Sequence, residues 1–160
     1  MVDATRIETS GESGSARITG LAGDRSTFYG EGVSDNFREV PGLKVEVEKV
    51  VYVPDLDAPE ERPHPYVYFL KIVNGSVETI SIRGRKWMLR DDTGQLFVVE
   101  GQGVVGETPV LQPGESFSYN SYHVVARNSV ASGTFFGMGQ DGGGIRVSIP
   151  EFRLVVPESE

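Results

Sequence analysis

The chain is 160 residues long, which fits one domain of ordinary size. It carries 15 Lys and Arg against 23 Asp and Glu, a formal net charge of −8, which works against a nucleic-acid partner because polyanion binding draws on clustered cations. It has no cysteine, so disulfides, thiolate metal sites and a cysteine nucleophile are excluded.

Residues 1–41 are rich in Gly, Ser, Thr and mixed charge and show no period of 2 or 3.6. They are expected to form a flexible arm, with Phe37 as the anchoring aromatic, ahead of a domain spanning 42–158. No apolar signal segment follows Met1, and no stretch reaches the roughly 20 apolar residues of a membrane span. With the lack of cysteine, this gives a cytoplasmic expectation and no membrane partner.

From Leu43 the pattern changes. Leu43, Val45 and Val47 alternate with Lys44, Glu46 and Glu48, as in a half-buried strand, and the break at Val50–Val51 predicts a bulge. The segment from Pro54 to Pro65, with Pro59, Pro63 and the acids Asp55, Asp57, Glu60 and Glu61, reads as a loop. Tyr66–Val73 is apolar on both faces, which predicts a central strand closed by a tight Asn74-Gly75 turn. Val77–Leu89 is a further extended run with a bulge at Gly84 and Trp87 in the core. Asp92-Thr93-Gly94 turns it into a hairpin with Gln95–Val99.

Pro113-Gly114-Glu115 is another turn. Ser116–Val125 follows as a strand with Phe117, Tyr119 and Ser121 on one face. Gly133–Gly139 reads as short and irregular, and Gly142–Gly144 as a loose tip. Ile145, Val147 and Ile149 alternate into the core, Pro150 breaks the line, and Phe152, Leu154 and Val156 form the last strand. Seven or more short strands and no helical period predict an all-β sandwich.

Gly101-Gln102-Gly103-Val104-Val105-Gly106 has the G-x-G-x-x-G form of a dinucleotide-binding turn. That chemistry needs a helix after the glycines, so that the helix N-terminus holds a pyrophosphate. Here Pro109 and Pro113-Gly114 leave no room for one. The loop therefore reads as a β-to-β connection, whose amides leave a phosphate nest open as the alternative. Arg83 and Arg85, two residues apart, are expected on one solvated face, with Lys86 and Arg90 nearby. His64 and His123 fall in different elements without metal-site spacing, and Ser121 with His123 lacks a nameable acid and oxyanion hole.

Taken together, these strings resemble the ApaG domain family. The resemblance runs from about Leu43 to Pro157. It includes Tyr68–Asn74, Arg85-Lys86-Trp87, the 101–106 glycine loop, Pro109, Leu111, Pro113-Gly114-Glu115 and Ile149-Pro150-Glu151-Phe152. It implies an immunoglobulin- or fibronectin type III-like β-sandwich. It also implies a bacterial protein associated with magnesium and cobalt homeostasis, with no catalytic reaction and no cofactor. One departure stands out: where the family favours G-x-M-x-G-x-Y, this chain has Gly133, Phe135, Gly137 and Gly139, so an aromatic is missing at 139.

The expected function is a non-enzymatic module binding an as yet unidentified protein, with a second copy of the chain as one admissible partner. The expected contact residues are Gly101, Gly103, Val104, Val105 and Gly106, with the valines exposed, plus Arg85, Lys86 and Arg90. The alternative is a phosphate- or nucleotide-binding module using the same loop. No catalytic residue and no metal ligand set are expected.

Overall fold

The computed structural model describes residues 17–18 and 37–158. The remainder of the expected 1–41 arm lies outside the described residues. Ten strands follow in chain order: β1 (Arg17–Ile18), β2 (Arg38–Glu39), β3 (Leu43–Tyr52), β4 (His64–Asn74), β5 (Ile80–Asp91), β6 (Leu96–Gln102), β7 (Val110–Leu111), β8 (Ser116–Val125), β9 (Ser129–Met138) and β10 (Gly144–Leu154). They form two sheets. One has the order β1-β6-β5-β9-β10-β2, with β7 also pairing β5, and the other is β3-β4-β8. The fold is the expected all-β, immunoglobulin-like sandwich.

Alternation decides which side chains meet between the sheets. On β5, Ile80, Ile82, Trp87 and Leu89 are buried, while β4 contributes Tyr66, Tyr68, Leu70 and Ile72 from the other side. Each such side chain removed from water contributes roughly 1.5–3 kcal/mol, so a one-residue slip of either strand would forfeit the whole inner face. Trp87 sits at the centre, 4.9 Å from the Tyr68 ring, 4.5 Å from His123 and 5.8 Å from Phe152.

The bulge expected near Gly84 is present, between Ile82 and Gly84. The bulge in β3 falls between Val47 and Lys49 rather than at Val50–Val51. An extra residue there returns Val50 to the packed side, where it touches the core. Pro150 does not end its strand. β10 runs through it with a register shift between Ile149 and Phe152, a bulge that absorbs the missing proline donor.

Of Gly133–Gly139, expected to be irregular, all but Gly139 belong to a ten-residue strand at the middle of the larger sheet, with β5 on one side and β10 on the other. Its glycines answer to neighbours rather than to its own flexibility. A Cβ at Gly137 would stand 1.8 Å from the Ser81 carbonyl oxygen, and one at Gly133 would stand 2.6 Å from that of Lys86. The space beside Gly139 is filled from elsewhere, by Arg38 Nη2 and Glu78 Oε1, which form an ion pair at 2.9 Å. Phe37 lies next to Arg38 in the chain. Its ring packs 5.0 Å from that of Phe136, and its carbonyl accepts from Arg146.

Asn74-Gly75 is not a hairpin turn, because β4 and β5 lie in different sheets. The fully buried Asn74 instead binds the crossing together. Its Nδ2 donates to the carbonyls of Glu78 and Leu111, and its Oδ1 accepts from the amide and hydroxyl of Ser76. Its backbone amide and carbonyl bond Glu115 and Gly114.

Candidate functional site: the glycine loop and Arg85

β6 and β7 run along the same edge of β5: β6 pairs Gly84–Arg90, and β7 pairs Ile80–Ser81. The glycine loop is the excursion between them. It leaves the sheet where β5 bulges, with the Gly103 amide donating to the Arg83 carbonyl and the Ile82 amide to that of Pro109. Its tip is a two-residue reversal, since Val104 and Glu107 exchange both backbone hydrogen bonds at 2.7 and 2.9 Å. The central residues Val105 and Gly106 have φ of 46° and 81°, the signs of a type I′ turn. For a β-branched residue that conformation is strained, and Val105 is the only non-glycine with positive φ among the described residues.

Each glycine of the motif has a separate steric cause. A Cβ at Gly103, which has φ 71°, would meet the Glu107 carbonyl oxygen at 2.6 Å. Gly106 supplies the second left-handed position of the turn. Gly101 makes room for Arg85, whose terminal nitrogens would lie 2.7 Å from any Cβ there. Arg85 Nη1 in turn donates to the carbonyls of Gln102 and Gly103, both at 3.0 Å.

The polarity of this arrangement is the reverse of a phosphate cradle. Carbonyl oxygens of the loop converge on a buried guanidinium, while the amides of Gly103, Val104 and Glu107 donate within the protein. The chain after the loop forms β7, not a helix.

The sequence-based site is therefore split. Gly101, Gly103, Gly106 and Arg85 come together, but Arg85 is buried and does not share the wet face with Arg83. The bulge between Ile82 and Gly84 shifts the alternation by one residue, so Arg83 points out while Arg85 joins Trp87 and Leu89 inside. Lys86, half-buried, and Arg90, exposed, lie on the opposite face of β5. Val104 is not exposed: it is fully buried in the main hydrophobic cluster, and Val105 packs partly against it. A valine flanked by glycines can fold back under its own loop, and here it anchors the turn. The exposed apolar side chains at this end are others, Val77 at 91% and Val110 at 59%.

Two further residues gave little signal in the sequence. Asn74 looked like a turn residue, and only the inter-sheet crossing makes it a clamp. His123 alternates with Ser121 and Val125 into the core, where its ring lies 4.6 Å from Tyr68 and 4.5 Å from Trp87. Burial, reinforced by the nearby Arg85 charge, pushes its pKa down to about 3, so it is neutral at pH 7. Its Nε2 has no hydrogen-bond partner among the described residues. Asp55, Asp57, Glu60 and Glu61 do not converge, and among the described residues no group of three or more His, Asp or Glu could hold a metal ion.

The fold and this loop define a class: an immunoglobulin-like sandwich whose central sheet edge is interrupted by a glycine turn locked on a buried arginine. The ApaG domain profile matches residues 54–138. The chain is 39% identical over 118 residues to Protein ApaG of Brucella anthropi, covering 73% of this chain and 90% of the relative. It is 40% identical over the same length to Protein ApaG of Brucella canis. Among solved structures, it is similar to that of a Bordetella pertussis protein assigned as ApaA. That pair has 30% identity and a TM-score of 0.65, covering 77% of this chain and 99% of that one. The chain belongs to the ApaG domain family.

Proposed function

We propose that the chain is a non-enzymatic protein-binding module that presents the glycine-loop end of its sandwich to a partner protein. The observation carrying this reading is the exposure of Val77 and Val110 on segments held stiffly from beneath, one by Asn74 and the other by its pairing with β5. Apolar side chains offered on a preorganised backbone lose little freedom on binding, which favours a docking role over a packing one. Gly106 and Val105 form the adjoining tip. In this reading the module works in the cytoplasm, and its part in magnesium and cobalt homeostasis runs through the partner.

The test is a pull-down from a bacterial lysate comparing the wild type with Val77→Asp plus Val110→Asp, with folding checked by circular dichroism. Loss of specific partners with an intact fold supports the assignment, and an unchanged partner set removes it. The phosphate-binding alternative lacks a comparable observation, because the Gly103, Val104 and Glu107 amides of the loop already donate internally. Pyrophosphate titration followed at the Gly101, Gly103 and Gly106 amides tests it directly.

A further inference from the structure

Several described cations have a counter-group. Arg38 meets Glu78 and Asp141, Lys44 meets Glu46, Arg127 meets Asp91, and Arg146 meets Glu39. Arg85 is held by loop carbonyls, while Lys49 and Arg62 lie over the rings of Phe69 and Phe97. Arg90 and Arg153 are both exposed, and among the described residues neither makes an ion pair or a side-chain hydrogen bond, a lack they share with Lys71 and Lys86. What sets the two arginines apart from those lysines is that they stand together, in a chain of net charge −8.

The sheet register puts them side by side. Arg90 on β5 and Arg153 on β10 are both Cα partners of Val130 on β9. Residues in one row across a sheet point to the same face, so the two arginines bracket Val130 on the outer face, with their Cα atoms about 10 Å apart. They line a recess of about 310 Å³ together with Asn128 and Val155. Val155 is 60% exposed, and its carbonyl accepts from the Tyr66 hydroxyl, which ties this wall to the other sheet. Asp91 also borders the recess. Its Oδ1 accepts from Thr93 and Gln95, and its Oδ2 lies 3.8 Å from Arg127, so its charge is already engaged. Asp92 is the other carboxylate on the lining.

We infer that this recess is a second docking site, at the opposite end of β5 from the glycine loop, and that it takes an acidic peptide segment of a partner protein. Arg–carboxylate pairing supplies the recognition. The apolar floor and wall, Val130 and Val155, fit the methylene stems and neighbouring side chains of a peptide, and a small inorganic anion would leave them uncovered. A second copy of this chain is disfavoured by like net charge, and a nucleic acid by so short a basic row.

The experiment is a titration of the ¹⁵N-labelled full chain with a blocked decapeptide of alternating glutamate and valine. A lysine-for-glutamate peptide and sodium phosphate at matched charge serve as comparisons. Shifts are expected at Arg90, Val130, Arg153 and Val155 with the glutamate peptide only. They should weaken at high salt, and affinity should fall roughly tenfold in Arg90→Gln plus Arg153→Gln, two exposed ion pairs having been removed. A well-dispersed spectrum of that variant guards against misfolding. Absence of these shifts at millimolar peptide, equal shifts with the lysine peptide, or the same shifts with phosphate would each overturn the assignment.

Discussion

The Arg85 guanidinium occupies the volume that a side chain at Gly101 would need, its two terminal nitrogens standing 2.7 Å from where a Cβ would be. The two residues are directly opposite each other on β5 and β6, so the glycine and the arginine are one device rather than two motifs. The glycine lets a cation lie flat against the strand, and the cation then gathers the carbonyls of Gln102 and Gly103.

Substitution of Gly101 by alanine should therefore destabilise by about 1–3 kcal/mol, as over-packing does. The penalty should shrink when Arg85 is first replaced by alanine. Urea denaturation of the two single variants and the double variant gives the coupling energy, and strict additivity would contradict the steric link.

The strand glycines should be less forgiving. Gly137→Ala would drive a methyl group into the Ser81 carbonyl oxygen, a backbone atom that cannot swing aside. A loss of more than about 4 kcal/mol is expected, enough to unfold a marginal domain. At Gly142, where nothing lies within 4 Å and only a φ of 84° opposes a side chain, alanine should lose about 1 kcal/mol. Thermal melts of both variants make the comparison.

Relief of strain should show at the turn. Val105→Asn puts Asn-Gly at the centre of the type I′ reversal, the pair that such turns favour, and removes a β-branched residue from positive φ. A stability gain of about 0.5–1 kcal/mol is expected in denaturant titrations, net of the partial packing that Val105 gives up.

His123 should make stability depend on pH. Its folded pKa, about 3, lies below its ordinary value of 6.5, so the unfolded chain binds a proton that the folded chain refuses. Its contribution is fully present above pH 6.5 and is lost progressively as pH falls toward 3, at no more than about 1.4 kcal/mol per pH unit. His123→Phe should remove this component of the slope, and at pH 7 it should not be less stable, since an unpartnered buried nitrogen goes with it. Equilibrium unfolding of both proteins between pH 4 and 7 tests the difference.

Much of this protein was legible as pattern. Period-2 alternation identified β3, β8 and most of β5, because a strand with one face in water must place its apolar residues two apart. Ser116–Val125 emerged with the bounds seen in the structure, and Trp87 was placed in the core by its size alone. The failure of any helix to follow Gly106 separated the glycine loop from nucleotide-binding folds. The ApaG resemblance rested on strings that local patterning cannot reach, and it fixed the family.

Tertiary structure decided what alternation cannot carry. A bulge adds one residue, and beyond it every facing reverses, so Arg85 went inside on the strength of a shift between Ile82 and Gly84. β9 looked irregular because its glycines are dictated by the Ser81 and Lys86 carbonyls, atoms far away in the chain. Val104 looked like bait for a partner and turned out to be the loop's own anchor, since whether a small apolar residue points out or in depends on where the turn folds back. Arg90 and Arg153 lie far apart in sequence and become neighbours only when β9 is laid between their strands. Composition and period set the faces of the strands, while the pairing of the strands determined which faces hold the chemistry.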